Sequence, residues 1–167
     1  MRVSLDLIKT FMVILIVSVA MTACTSSDEK DENETTITTF LEKEFTGPDE
    51  ELKSALNEEG AFPPALEAYV DEHYTPLVHD VEKMINENQI LVFLRMADAN
   101  GYQLNPGSME IKKVEDHAYE YEVEVEYSKG EDHHTAKVQG LINLNEEGKI
   151  VTIRSRDDGG LLEKLAE

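Results

Sequence analysis

The sequence predicts an α+β protein in which N-terminal helices pack on a C-terminal, curved antiparallel sheet. Apolar residues recur at helical spacing between about residues 37 and 99, then alternate with polar ones between about 109 and 155. Helices that all precede the strands belong on one face of a sheet, not between parallel strands. Residues 1–24 follow neither pattern.

In the helical part, Ile37, Phe40, Leu41 and Phe45 fall on one stripe at i, i+3, i+4 and i+8. Gly47-Pro48 should stop that helix. Pro48, Asp49, Glu50 and Glu51 suit the start of a second one, where acids meet the exposed N–H groups. Leu52, Ala55 and Leu56 form its buried face, and Gly60 ends it. After Phe62-Pro63-Pro64, the spacing of Leu66, Tyr69, Val70 and His73 predicts a third helix. Thr75-Pro76 reads as an N-cap and first helical residue, with Leu77, Val78, Val81, Met84 and Ile85 continuing the stripe. Residues 90–99 are apolar nearly all round, which predicts a central helix closed by Asn100-Gly101.

In the strand part, residues 109–114 predict a short first strand. Tyr119, Tyr121, Val123, Val125 and Tyr127 then alternate with Glu120, Glu122, Glu124 and Glu126, giving one buried and one wet face. A loop over 128–135 leads to a strand with Ala136, Val138, Gly140, Ile142 and Leu144 on one face. Pairing Tyr127 with Ala136 would set Glu126 opposite Lys137. Asn145-Glu146-Glu147-Gly148 predicts a turn into 149–155, with Val151 and Ile153 inward, and Leu161, Leu162 and Leu165 predict a short closing helix.

The first residues read as an export signal. Arg2 and Lys9 precede the apolar run FMVILIVSV, too short and too diluted for a spanning helix. Met21-Thr22-Ala23-Cys24 resembles a bacterial lipobox, with Met21 in place of the usual leucine. That resemblance implies a leader over 1–23 and a diacylglycerol-modified Cys24 as the new N-terminus; an uncleaved membrane anchor and an ordinary cleaved signal are the competing readings. Two or more acyl chains suffice to hold such a protein to the cell membrane. Residues 24–35, rich in Ser and acids, should be a flexible leash, and 36–167 a single domain.

The whole chain carries a net charge of −20, with 35 acidic and 15 basic residues. Such a body repels phosphate backbones, which excludes nucleic acid as a partner. One cysteine rules out an internal disulfide.

The helix–strand order is familiar, as are the segments Phe40-Leu41-Glu42-Lys43-Glu44-Phe45-Thr46-Gly47-Pro48 and Gly140-Leu141-Ile142-Asn143-Leu144-Asn145-Glu146-Glu147-Gly148-Lys149-Ile150. Over about residues 36–165 the chain resembles small lipoproteins of Gram-positive bacteria with a nuclear transport factor two-like, cone-shaped domain. The resemblance implies a bent sheet wrapped around helices, often with a pocket, in a superfamily of enzymes, binding modules and accessory domains.

No set of residues spells out a catalytic or metal motif, and no cofactor is implied. His117 shares parity with Tyr119 and Tyr121, which makes these three the pocket candidates, with His117 as the acid or base of any reaction there. His133 and His134 should lie in an exposed loop beside Glu131 and Asp132; His73 should pack and His79 should be exposed. Arg95 and Asp98 should form a helix-surface ion pair. The expected function is a membrane-anchored, extracytoplasmic, non-enzymatic binding or accessory domain for a cell-surface protein or wall ligand; the alternative is a small-molecule enzyme built on His117.

Overall fold

Helix α1 (Glu32–Phe45) starts where the Asp31 carboxylate accepts the Asn33 N–H at 3.2 Å, with Glu32 and Glu34 in the first turn. The computed structural model describes residues 31–167, which form one unit. The expected leader, Cys24 and the first part of the leash lie outside the described residues. The leash, expected to run through residue 35, gives way by Asp31. That residue and Asn33 are tied to the sheet through the Tyr119 hydroxyl, a long-range anchor that local composition does not reveal.

Four further helices follow: α2 (Glu50–Leu56), α3 (Pro64–His73), α4 (Val81–Asn86) and α5 (Val92–Asn100). Asp49 caps α2 by accepting the Leu52 N–H at 2.8 Å, and proline occupies the first turn of α3. Thr75-Pro76 does not begin a helix. Leu77 and His79 instead bond through their backbones to Ile150, and Asp80 caps α4 through the Lys83 N–H at 3.0 Å. Pairing to the sheet wins here over a local cap signal.

The strands β1 (Gln103–Glu115), β2 (Ala118–Lys129), β3 (Asp132–Leu144) and β4 (Ile150–Asp157) form one antiparallel sheet in chain order, and α6 (Leu161–Leu165) closes the chain. Irregular steps between Pro106 and Met109, Lys113 and Glu115, Gln139 and Gly140, and Asn143 and Leu144 help bend the sheet around the helices. The protein is thus α+β, with N-terminal helices packed on a curved antiparallel sheet.

Several details differ from the expectation. Strand β1 is much longer than 109–114, because pairing with β2 recruits residues that lack an alternating pattern. The loop expected over 128–135 is a two-residue turn, Gly130-Glu131, made by glycine at φ 64°. The tighter turn moves the register two residues, so Tyr127 faces His134 and Glu124 faces Lys137. The irregular step at Asn143/Leu144 turns Ile150, rather than Val151, into the core beside the partly buried Ile153.

The core lies between the helical layer and the inner sheet face. Phe40, Leu41, Leu94, Tyr119, Val123 and Ile142 are each at most 1% exposed. Burying each large apolar side chain contributes roughly 1.5–3 kcal/mol, which fixes the layer order. The glutamates of β2 face outward, where Lys137 Nζ meets Glu122 Oε1 at 2.7 Å.

Candidate functional site

The apolar stripe of α1 contains one charged residue. Glu44 lies four residues after Phe40 and three after Leu41, and so it turns inward with them; it is 4% exposed. Its Oε1 and Oε2 accept the Leu91 N–H at 3.0 and 3.2 Å. Leu91 sits at the start of α5 with φ 64°, a left-handed conformation that costs a non-glycine residue roughly 1–2 kcal/mol. It has no capping side chain of its own. A carboxylate from α1 therefore supplies the cap that α5 lacks in sequence.

Burial pushes the Glu44 carboxyl up to about 7; the Leu91 N–H and, more weakly, the Tyr74 hydroxyl act against that rise. The Tyr74 hydroxyl is buried and faces this carboxyl without completing a hydrogen bond. Burial first, and then the nearby Glu44 charge, hold Tyr74 well above its ordinary range.

Glu44 also lines a cleft of about 580 Å³ between α1, the 87–93 segment and the end of the sheet. Phe45 and Phe93, with ring centroids 5.2 Å apart, form an apolar wall that Phe40 and Leu162 extend. Tyr121 and Ile153 enter from the sheet, while Glu87, Asp157 and Asp158 stand around the opening. Gly140 seats Tyr121: a Cβ there would lie 2.8 Å from the tyrosine ring and 2.3 Å from the Arg154 carbonyl. On the opposite side, Gln89 Oε1 accepts the Ile153 N–H at 2.9 Å and staples the 87–91 segment to β4. Asn88 and Leu91, both at positive φ, concentrate backbone strain in that segment.

The three pocket candidates separate. His117 is exposed in the turn between β1 and β2 and does not line the cleft, so it is not placed to act as acid or base there. The two-residue turn carries it past the end of the inward-facing row. Tyr119 is fully buried; its hydroxyl donates to Asp31 Oδ2 at 2.6 Å and accepts from Asn33 Nδ2 at 3.2 Å, which makes it a structural anchor. Tyr121 alone reaches the cleft.

The other histidines also fall into place. His73 packs edge-on against Tyr69 at 4.4 Å, and His79 is exposed. His133 and His134 are exposed on β3 rather than in a loop, with His134 against Tyr127. No trio of His, Cys, Asp or Glu among the described residues is arranged to hold a metal ion. Arg95 and Asp98 do not form the expected ion pair; the Arg95 Nε and Nη2 are buried without a hydrogen-bond partner.

Sequence reasoning missed Glu44 and the carboxylates of the opening. A signal existed for Glu44, since it occupies a core position of the stripe that Ile37, Phe40 and Leu41 define. Asp157 and Asp158 carry no such mark. Asp158 also works locally, accepting the Gly160 and Leu162 N–H groups at the start of α6.

In comparisons with known proteins, no family model matches the chain and no curated protein is detectably similar to it. No helix among the described residues is long and apolar enough to cross a membrane.

Proposed function

We propose that this protein is a membrane-anchored extracytoplasmic lipoprotein, tethered through lipid on Cys24, whose folded domain binds rather than transforms its ligand. Its cleft takes an apolar molecule, or an apolar side chain of a cell-surface or wall partner, that carries a positive charge. One observation carries the ligand class: apolar walls surround the cleft, and among the described residues its charged lining is made of carboxylates, Glu44, Glu87, Asp157 and Asp158. These carboxylates attract a cation entering there. Helices on a curved sheet with a cleft also support the resemblance to a nuclear transport factor two-like domain.

Two measurements test this reading. A palmitate analogue fed to a bacterial host should label the wild-type chain and spare Cys24→Ala. Titration calorimetry of the full chain should give binding of octylammonium, weakened by Asp157→Asn with Asp158→Asn, and no binding of octanoate. Equal binding of the two amphiphiles would refute the charge argument, and an unlabelled wild type would refute the anchor.

A second reading keeps the enzyme alternative but moves its acid/base from His117 to Glu44. The observation favouring it is a buried carboxyl held at about 7 at the edge of a cleft. Against it, both carboxylate oxygens already engage the Leu91 N–H. Turnover of any small substrate that Glu44→Gln abolishes, in a variant that still folds, would favour this reading over simple binding.

A further inference from the structure

A second cavity, of about 670 Å³, lies among α3, α4 and α5 and shares no lining residue with the cleft. Its apolar walls include Val70, Val81 and Ile85, and Phe62 stands at its lip with 41% of its surface exposed. An apolar molecule in the cavity would cover part of that ring, which is favourable.

Among the described residues the cavity has one cation, Arg95 of α5. Its Nε and Nη2 are buried and lack any hydrogen-bond partner. These two nitrogens form one edge of the guanidinium, the fork that meets both oxygens of a carboxylate. A buried charge is normally paired, because desolvation without a partner is expensive. Yet among the described residues no carboxylate lies within the 4.0 Å that defines an ion pair with it. A smaller pocket of about 190 Å³, lined in part by Ile85, Ile90 and Met96, also touches Arg95.

The remaining charges limit what can enter. Glu67, Asp71 and Glu82 line the same cavity and are exposed. They repel a simple anion, and a simple cation or a neutral apolar molecule leaves the fork unpaired. A molecule with a carboxylate at one end, an ammonium at the other and an apolar body between them satisfies all three conditions. Two residues of extended chain span roughly 7 Å, enough to separate such charges across the apolar walls.

We propose that the cavity among α3, α4 and α5 binds a short apolar peptide with free termini, its C-terminal carboxylate on the Arg95 fork, which turns its now solvent-closed edge into the cavity to meet it, and its ammonium among Glu67, Asp71 and Glu82. The site is independent of the acidic cleft, and its ligand is recognised by its two ends rather than by a single charge.

Titration calorimetry of the full chain with the dipeptide Leu-Leu, its C-terminal amide and its N-acetyl form tests the proposal. Leu-Leu should bind. Amidation should weaken it at least about tenfold, as expected when a bidentate charge-assisted pair is lost, and acetylation should weaken it less. Arg95→Met should abolish binding while leaving octylammonium binding at the cleft unchanged. Arg95→Lys, which keeps the charge and loses the fork, should bind weakly and serves if the methionine variant does not fold. No heat with Leu-Leu at about 10 mM, equal affinity for the amide, or full affinity in Arg95→Lys would each overturn the site.

Discussion

Glu44 and Arg95 bring opposite charges into the helical layer, and the fold treats them in opposite ways. Glu44 is 4% exposed, yet both its carboxyl oxygens have a partner inside the chain, the shared N–H of Leu91 at the start of α5. Arg95, one helical turn further along the same helix, keeps part of its surface but has its fork buried without an acceptor. One charge has become part of the scaffold; the other has been left for something outside the chain. The comparison teaches that burial alone does not mark a functional charge. What matters is whether the donors and acceptors around it are already used.

The largest expected effect belongs to Glu44 and appears with pH. The folded carboxyl of Glu44 is raised from 4.5 to about 7, so the folded state holds this proton more tightly than the unfolded chain does. Its contribution to stability is fully present below pH 4.5 and is lost as pH rises through about 7. The loss is on the order of 3 kcal/mol. Urea denaturation across that window should show it in the wild type and not in Glu44→Gln. The same slope in both proteins would remove Glu44 as its source.

Arg95 should behave in reverse. Arg95→Met removes an unpaired, partly buried charge and keeps most of the side-chain volume, so the free protein should gain about 1–2 kcal/mol. A loss of stability in urea would show that the fork has a partner in solution, and would erase the contrast with Glu44.

Tyr119→Phe tests an intermediate case, an anchor that joins the start of α1 to the sheet. It removes the donation to Asp31 and the acceptance from Asn33, and should cost about 1 kcal/mol. The Tyr119 hydrogen bond is the first cause of the lowered Asp31 carboxyl, with the Asn33 N–H second, so the variant should also let Asp31 titrate higher. Because Asp31 is lowered, its contribution is present at neutral pH and fades only as the solution becomes strongly acid, a window separate from that of Glu44. Carboxyl chemical shifts during an acid titration would report the change.

The smallest effect is expected on the outer sheet face. Lys137→Ala breaks the 2.7 Å pair with Glu122, but both partners are solvated. The urea midpoint should not move measurably at physiological salt. A clear drop would mean that the glutamate row is stabilised as a network rather than by solvent.

Local pattern carried much of the fold. The stripe Ile37, Phe40, Leu41 and Phe45, the row of alternating tyrosines and valines, and the Asn145–Gly148 turn signal all describe elements the protein forms. The errors have two physical origins. Thr75-Pro76 and the start of β1 were each decided by a backbone partner far away in sequence, whereas the 128–135 segment was decided locally, by a glycine turn that pairs Lys129 with Asp132. The site was less legible still. Tyr121 could be read from its parity and Glu44 from its position on the stripe, whereas His117 failed because parity says nothing about where a strand ends.

The sequence by itself determined the class of the fold, the inward and outward faces of β2 and the acidic character of the body, because periodicity and charge are local quantities. Only the tertiary structure decided that Glu44 caps a helix from another element, that Tyr119 is an anchor, and that the Arg95 fork has no acceptor. Each depends on which groups meet after burial, and a hydrogen-bond partner 47 or 88 residues away leaves no mark on the sequence around either one.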